Sequence, residues 1–327
     1  MSTNVRKNVS RIVPQVLNNK SLIILLVLAI TAQISSDGLF FTGSNIISIV
    51  KQNSYICVMA LGFTAVMAGG NFDLSIGHML GLIAIVYAKL ADIFPMPVVI
   101  VLTALLGGLL GLTNGLISIK LRLMPFIVTL GTGQIFRGIA YLLCDGCSIN
   151  MMDSVVKFIG SGSIGPVPFN FIIVIVLTLA MMLLMYRSKF GRHILASGGN
   201  SRAANVSGIN TDTVKIITFA ICGFLNSISA MIVTGRISVA MPGVGDGLEM
   251  DAIAAVVIGG TSLNGGKANV FGAIVGTLIL GVINNMLNLS RVSSFWQWVT
   301  KGIIIVIAIL IDAKAEELLQ KRQKLMA

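Results

Sequence analysis

The chain has 327 residues, 55% of them hydrophobic and only 11% charged, with a mean hydropathy of +0.94. Soluble domains carry about 25% charged residues, so this composition excludes a soluble fold and points to a polytopic membrane protein. A net charge of +11 raises the question of a nucleic-acid partner, but the basic residues stand in short stretches beside apolar segments, where cytoplasmic retention of Lys and Arg explains them.

Apolar stretches of about 20 residues recur along the whole length, which suits membrane-spanning helices and not a barrel of alternating strands. After Arg6, Lys7 and Arg11, residues 22–41 form the first span, uncleaved because no small-residue cleavage site follows a short apolar core. The second covers 45–68, with Lys51, Gln52 and Asn53 marking an interfacial outer part. It runs into a polar break, Gly69-Gly70-Asn71-Phe72-Asp73-Leu74-Ser75-Ile76-Gly77, before a third span over 76–90 that ends at Asp92 and the Pro95, Pro97 turn. The fourth, 98–119, stops at Lys120 and Arg122, and Pro125 opens a fifth that runs to about Leu143, proline being tolerated in a first helical turn.

An external loop over 145–170 precedes the sixth span, 171–186. Next comes the largest basic island, 187–215, with Arg187, Lys189, Arg192, Arg202 and Lys215 against one carboxylate, Asp212. The seventh span covers 216–234, followed by a glycine-rich external loop over 236–249. Residues 251–260 are apolar but too few to cross a core of about 30 Å at roughly 1.5 Å per residue. Spans over 268–289 and 295–311 lead to a tail with Lys314, Lys321, Arg322 and Lys324.

The expected fold is therefore all-α: one membrane domain over 21–312 with about ten helices, some short or broken, between tails over 1–20 and 313–327. Of the 23 Lys and Arg residues, 16 fall on the assigned cytoplasmic side, five (Lys51, Lys89, Lys157, Arg236, Arg291) outside, and two (Arg137, Lys301) within spans. That bias places both termini in the cytoplasm. Gly111-x-x-Asn114 on the fourth span is echoed by Gly281-x-x-Asn284 on the ninth. Spans five apart run in opposite directions, so the echo fits an inverted five-helix repeat, although a match this short also arises by chance in a Gly/Leu-rich chain.

Most chemical motifs fail on inspection. Cys144-Asp-Gly-Cys147 lacks further ligands or a redox fold around it, and His78 and His193 stand alone in distant segments, so no metal site is expected. No Ser–His, Asp–Asp or His–Glu pairing at helical spacing occurs in the spans, which argues against an enzyme. Small residues at spacing four, such as Gly107, Gly111 and Gly115, or Gly272 and Gly276, are helix-packing signals. Asp73 is placed to cap the resuming helix through backbone N–H groups, with contact to a solute as the second reading.

A second glycine break, Gly259-Gly260-Thr261-Ser262-Leu263-Asn264-Gly265-Gly266-Lys267, resembles a phosphate-binding loop. It fails that test, since Thr261 stands where the loop needs glycine and Ala268 where it needs Ser or Thr. The chain is thus expected to bind neither ATP nor another cofactor. Paired glycine breaks are the best sequence pointer to a transporter's pathway and moving parts.

Four stretches, GGNFDLSIG, LRLMPFIVTLGTGQIFRGIA, FGRHILASGGNSRAANVSGI and LEMDAIAAVVIGGTSLNGGKANVFGAIVGTLILGVINN, resemble permease subunits of bacterial ABC importers for ribose and related monosaccharides. The resemblance covers about residues 45–311. It implies a helical inner-membrane permease working as a homo- or heterodimer, with a cytoplasmic ATP-binding subunit and an extracytoplasmic sugar-binding protein. It further implies that residues 191–208, here with Gly191, Arg192, Gly199, Asn200, Ala203, Ala204, Ser207 and Gly208, dock onto the ATPase as a coupling element. The chain departs from the family at its first break, where GGNFDLS is one residue longer than the more usual GGIDLS.

A permease without a nucleotide site must be switched by a partner that binds its two conformations differently. A short helix within 192–208, capped by Ser or Asn and flanked by Gly198-Gly199, would give that partner a rigid knob; the bland alternative is a plain basic loop. Sugars are neutral, so the pathway candidates are Asn71, Asp73, Ser75, Asn114, Asn284 and Asn285, with Thr113 and Ser118 beside them. Interhelical hydrogen bonding explains the same residues equally well. Asp246 and Glu249 in the external loop are candidates for docking the binding protein. The rival class, a secondary transporter coupled to Na⁺ or H⁺, would want several buried carboxylates, and only Asp73 stands near membrane depth in mid-chain.

Overall fold

A computed structural model describes residues 20–293, 295–304, 306, 307 and 310. The tails, with Arg6, Lys7 and Arg11 at one end and Lys314, Lys321, Arg322 and Lys324 at the other, lie outside the described residues, as does the placement of both termini.

The fold is all-α. In chain order the helices are α1 Lys20–Ser35, α2 Gly43–Ala68, α3 Ile76–Ala91, α4 Met96–Lys120, α5 Pro125–Leu143 and α6 Ser154–Ser161. They continue with α7 Phe169–Met182, a π turn over Leu183–Arg187, α8 Lys189–Gly199, α9 Ser201–Val206, α10 Thr211–Ile237, α11 Leu248–Ile258 and α12 Val270–Leu289. A last helical stretch occupies 295–304. Two short antiparallel pairings, Ile149–Asn150 with Val239–Ala240 and Ser163–Ile164 with Val167–Pro168, tie loops together at the ends of helices. Among the described residues, six helices are long and apolar enough to cross a membrane: α2, α4, α5, α7 with its π turn, α10 and α12. Among the described residues each of the ten expected apolar segments carries a helix, the first only as far as Ser35, and the short one, α11, stays short at 11 residues.

Two of the regions between spans carry helices, one of them the short helix expected within the basic island. Within 145–170 stands α6, whose first turn is capped by Asp153 Oδ1 accepting the Val155 and Val156 N–H groups at 2.7 and 3.3 Å. The basic island contains α8 and α9, and its last residues belong to the first turn of α10.

The centre is formed by α2 and α10, whose inner halves are buried almost all round. Outer faces such as Val101, Leu105 and Leu109 of α4 are exposed and apolar, as lipid contact requires. In lipid, helices associate by close packing and hydrogen bonds, so small residues mark the seams. A Cβ added at Gly111 of α4 would strike the Phe219 carbonyl of α10, and one added at Gly281 of α12 would strike the Asn53 side chain of α2. Each copy of the Gly-x-x-Asn echo therefore seats its helix on a long central helix, α4 on α10 and α12 on α2.

Candidate functional site

The island after α7 is built by two side-chain caps. Ser188 is extended, and its Oγ accepts the Gly191 N–H at 2.9 Å while donating to the Leu184 carbonyl at 2.6 Å. Asn200 is also extended, and its Oδ1 accepts the Ala203 N–H at 3.0 Å, starting α9. Gly208, at φ +84°, then turns the chain back, with the Ile209 N–H donating to the Ala204 carbonyl at 3.0 Å. Both Ser and Asn thus cap helices in the element.

Of the expected coupling residues, Arg192, Gly199, Asn200, Ala203, Ser207 and Gly208 are exposed, whereas Gly191 and Ala204 are buried. Gly191 fits under the Leu184 and Met185 carbonyls, so its role is to seat α8. Val206, a lone valine in a polar stretch that carries no sequence pattern, was not among the expected residues. It is 91% exposed, an apolar side chain standing out from α9. A concavity of about 380 Å³ on the same element is lined by Asn205, Gly208, Ile209, Asn210 and Asp212.

The end of α8 is wedged between the two glycine breaks. A Cβ at Gly198 would strike the Ala68 carbonyl and lie 2.6 Å from the Gly266 nitrogen. One at Gly265 would lie 2.8 Å from the Gly70 Cα. The Gly266 N–H donates to the Ala68 carbonyl at 2.9 Å, and Gly70, Gly265 and Gly266 all hold positive φ. Three backbones distant in sequence therefore touch with no side chain between them.

The first break rises from that junction into a buried polar knot. Asp73 is fully buried, and its Oδ1 accepts the Ser75 N–H at 3.0 Å, the Ser75 hydroxyl at 2.6 Å and Asn114 Nδ2 at 3.4 Å. Asn114 Nδ2 also donates to Ser75 Oγ at 2.7 Å, tying α4 to the break, and Asn71 Nδ2 donates to the Gly69 carbonyl at 3.2 Å. The helix restarts at Ile76, so the N–H that Asp73 takes belongs to the residue just before it. All four residues are buried in this structure. Asn285 is elsewhere: it exchanges amide hydrogen bonds with Asn45 at 2.8 and 3.1 Å, clasping α12 to α2, with half-buried Asn284 beside it.

A third meeting point lies where the N-termini of α3 and α11 approach each other. Gly77 lets the Gly245 carbonyl and Glu249 Oε2 come against the backbone of α3. Asp246 stands 3.2 Å from Arg137 Nη2 of α5 and 3.6 Å from His78 Nε2 of α3. Asp251, buried in α11, takes Lys301 Nζ at 2.8 Å. The two basic residues that fell within spans thus each meet a carboxylate at the head of α11. Asp246 and Glu249, the candidates for docking a binding protein, both stand at this meeting point, with the Asp246 side chain 41% exposed. Asp246 is engaged by α5 and α3, and Glu249 is half-buried with Oε2 enclosed, because the loop before α11 folds down along α3.

Residues 45–310 match the family described as "Branched-chain amino acid transport system / permease component". The chain belongs to this permease family. The permease is similar to the ribose import permease protein RbsC of Escherichia coli K12, 40% identical over 306 residues, which is 92% of this chain and 95% of that protein. RbsC of Bacillus subtilis 168 is 38% identical over 278 residues, 84% of this chain and 86% of its own. The D-allose transport system permease protein AlsC of Escherichia coli K12 is 37% identical over 295 residues, 89% of each chain. No solved structure gives a significant match.

Proposed function

We propose that this permease is the membrane-spanning subunit of an ATP-binding-cassette importer for a monosaccharide of the ribose type, a multi-pass protein of the bacterial inner membrane. The single observation that carries the reading is near-full-length similarity to import permeases named for ribose and allose. In this reading a cytoplasmic ATPase drives transport, an extracytoplasmic binding protein delivers the sugar, and a second permease subunit completes the pathway. Both termini face the cytoplasm, on the side of α8 and α9. The exposed face of α9, with Ala203, Ser207 and Val206, is the surface the ATPase grips, and the wedge of α8 between the two glycine breaks carries its movement into the membrane.

The test is reconstitution of the permease in vesicles with its ATPase and binding protein, using ribose, xylose, allose and leucine as solutes. Uptake of a monosaccharide that requires ATP and all the proteins is expected. Leucine uptake in place of sugar would overturn the substrate class, and uptake driven by an ion gradient without ATP would favour a secondary transporter. Val206→Asp or Ala203→Glu would place an unpaired charge in the contact. Either is expected to weaken ATPase co-purification at least tenfold while leaving the permease in the membrane at normal level.

A further inference from the structure

Helix α5 carries a polar stripe through an apolar span. Gln134, Arg137, Gly138 and Tyr141 follow the i, i+3, i+4, i+7 spacing of one helix face. Together they line a shallow, open concavity of about 480 Å³ on the outside of the chain. The adjoining face of the helix is different: Ile135 and Leu142 are 58% and 80% exposed, as for lipid contact. Arg137 lies twelve residues into α5, about 18 Å along the axis and so within the hydrocarbon depth. Bare exposure of its half-open guanidinium to lipid at that level is strongly unfavourable, so water or protein must cover the stripe.

Two further observations point to the same face. A Cβ added at Gly131 or Gly138 would meet nothing within 4 Å, so no contact inside this chain calls for glycine there. The stripe also stands beside the meeting of the α3 and α11 N-termini, through the contact of Arg137 with Asp246. Broken-helix ends near the bilayer midplane are where transporters hold their solutes.

We propose that this face of α5 is a wall of the sugar pathway, with Gln134, Arg137, Tyr141 and Asp246 contacting the passing monosaccharide. The inference rests on the importer reading above, and a second permease subunit faces the stripe across the pathway. The chemistry suits a neutral polyol: a guanidinium that donates, a carboxylate that accepts, an amide that does both, and an aromatic ring for the C–H face of the sugar. Arg137 already lies 5.9 Å from the Tyr141 ring centroid, which fixes the two groups side by side.

The test uses the complete complex in vesicles with labelled ribose, xylose and allose. Gln134→Ala and Tyr141→Ala are expected to lower sugar uptake at least tenfold while binding-protein-stimulated ATP hydrolysis persists. Gln134→Ala should also reorder the preference among the sugars. Tyr141→Phe keeps the ring and most of the uptake, and Ile135→Ala transports like the wild type. A second measurement does not depend on transport. With Cys147, the exposed native thiol, replaced by serine, Gln134→Cys and Gly138→Cys should react with a membrane-impermeant thiol reagent and Ile135→Cys should not. Unchanged uptake and sugar preference in Gln134→Ala and Tyr141→Ala would overturn the inference, as would resistance of both stripe cysteines to the water-soluble reagent. A wild-type complex that carries no sugar would instead defeat the importer reading, while the labelling pattern would still report whether a water-filled path runs along α5.

Discussion

At the glycine junction, Gly70, Gly198, Gly265 and Gly266 bring three backbones together with no side chain between them, whereas at the heads of α3 and α11 the close approach of Gly77 and Gly245 is surrounded by side-chain contacts through Asp246, Glu249, Asp251, Arg137 and Lys301. The first arrangement has no rotamers to absorb movement, so a displacement of α8 passes directly to both breaks. The second adds long side chains that can exchange partners. Under the proposed importer reading, the first suits transmission of movement and the second a place where a solute is met and released.

The largest expected effect comes from adding a single carbon at the rigid junction. Gly198→Ala drives a Cβ into the Ala68 carbonyl, and backbone cannot rotate away. We expect uptake to fall more than tenfold with the ATPase still bound. Gly199→Ala, whose Cβ would meet the Gly266 Cα at an ordinary 3.7 Å, should transport normally. Equal loss in both variants would mean that the junction is only generally crowded.

At the charged junction the expected effect is on stability. Lys301→Met leaves Asp251 buried without its partner, a change that typically costs about 3 kcal/mol. A lowered Tm in detergent should result, with recovery in the Lys301→Met/Asp251→Asn double variant. No recovery would show that Lys301 acts through packing of its stem.

The smallest effect sharpens the orientation on which the comparison rests. Cysteine at Ser207 should be labelled from the cytoplasm and cysteine at Ser163 from outside, with transport unchanged. Labelling of both from one side would move one junction to the other face of the membrane.

Helix positions were legible because apolar length reports directly on what can cross lipid. Pro125–Leu143 has the bounds that its proline and apolar run suggested, and α11 is short for the reason its length implied. The pairings were not legible. Arg137 and Lys301 announce that they need partners, but nothing local says that these are Asp246, 109 residues away, and Asp251, 50 residues away. The glycine breaks were visible as interruptions, yet their meeting around Gly198 depends on how α2, α8 and α11 pack. Helix α6 was hidden by its brevity within a polar loop, although Asp153 was there as its cap. The polar residues of the first break were visible too, but whether they face a pathway or one another is decided by the approach of α4. The stripe on α5 had Arg137 as its signal, a cation inside a span with Gln134 three residues before it and Tyr141 four residues after it.

The turn over Leu183–Arg187 closes its hydrogen bonds five residues apart, one more than the α-helix on its N-terminal side. Such a turn holds a single surplus residue. Returning it to α geometry would advance everything beyond it by one residue, about 1.5 Å along the axis and about 100° around it. The element carrying Ala203 and Val206 thus hangs from a joint with a built-in step: a return of the same residues to α geometry re-aims that surface as a discrete change of register, whereas a one-residue deletion within 183–187 takes up the surplus and leaves its aim unchanged.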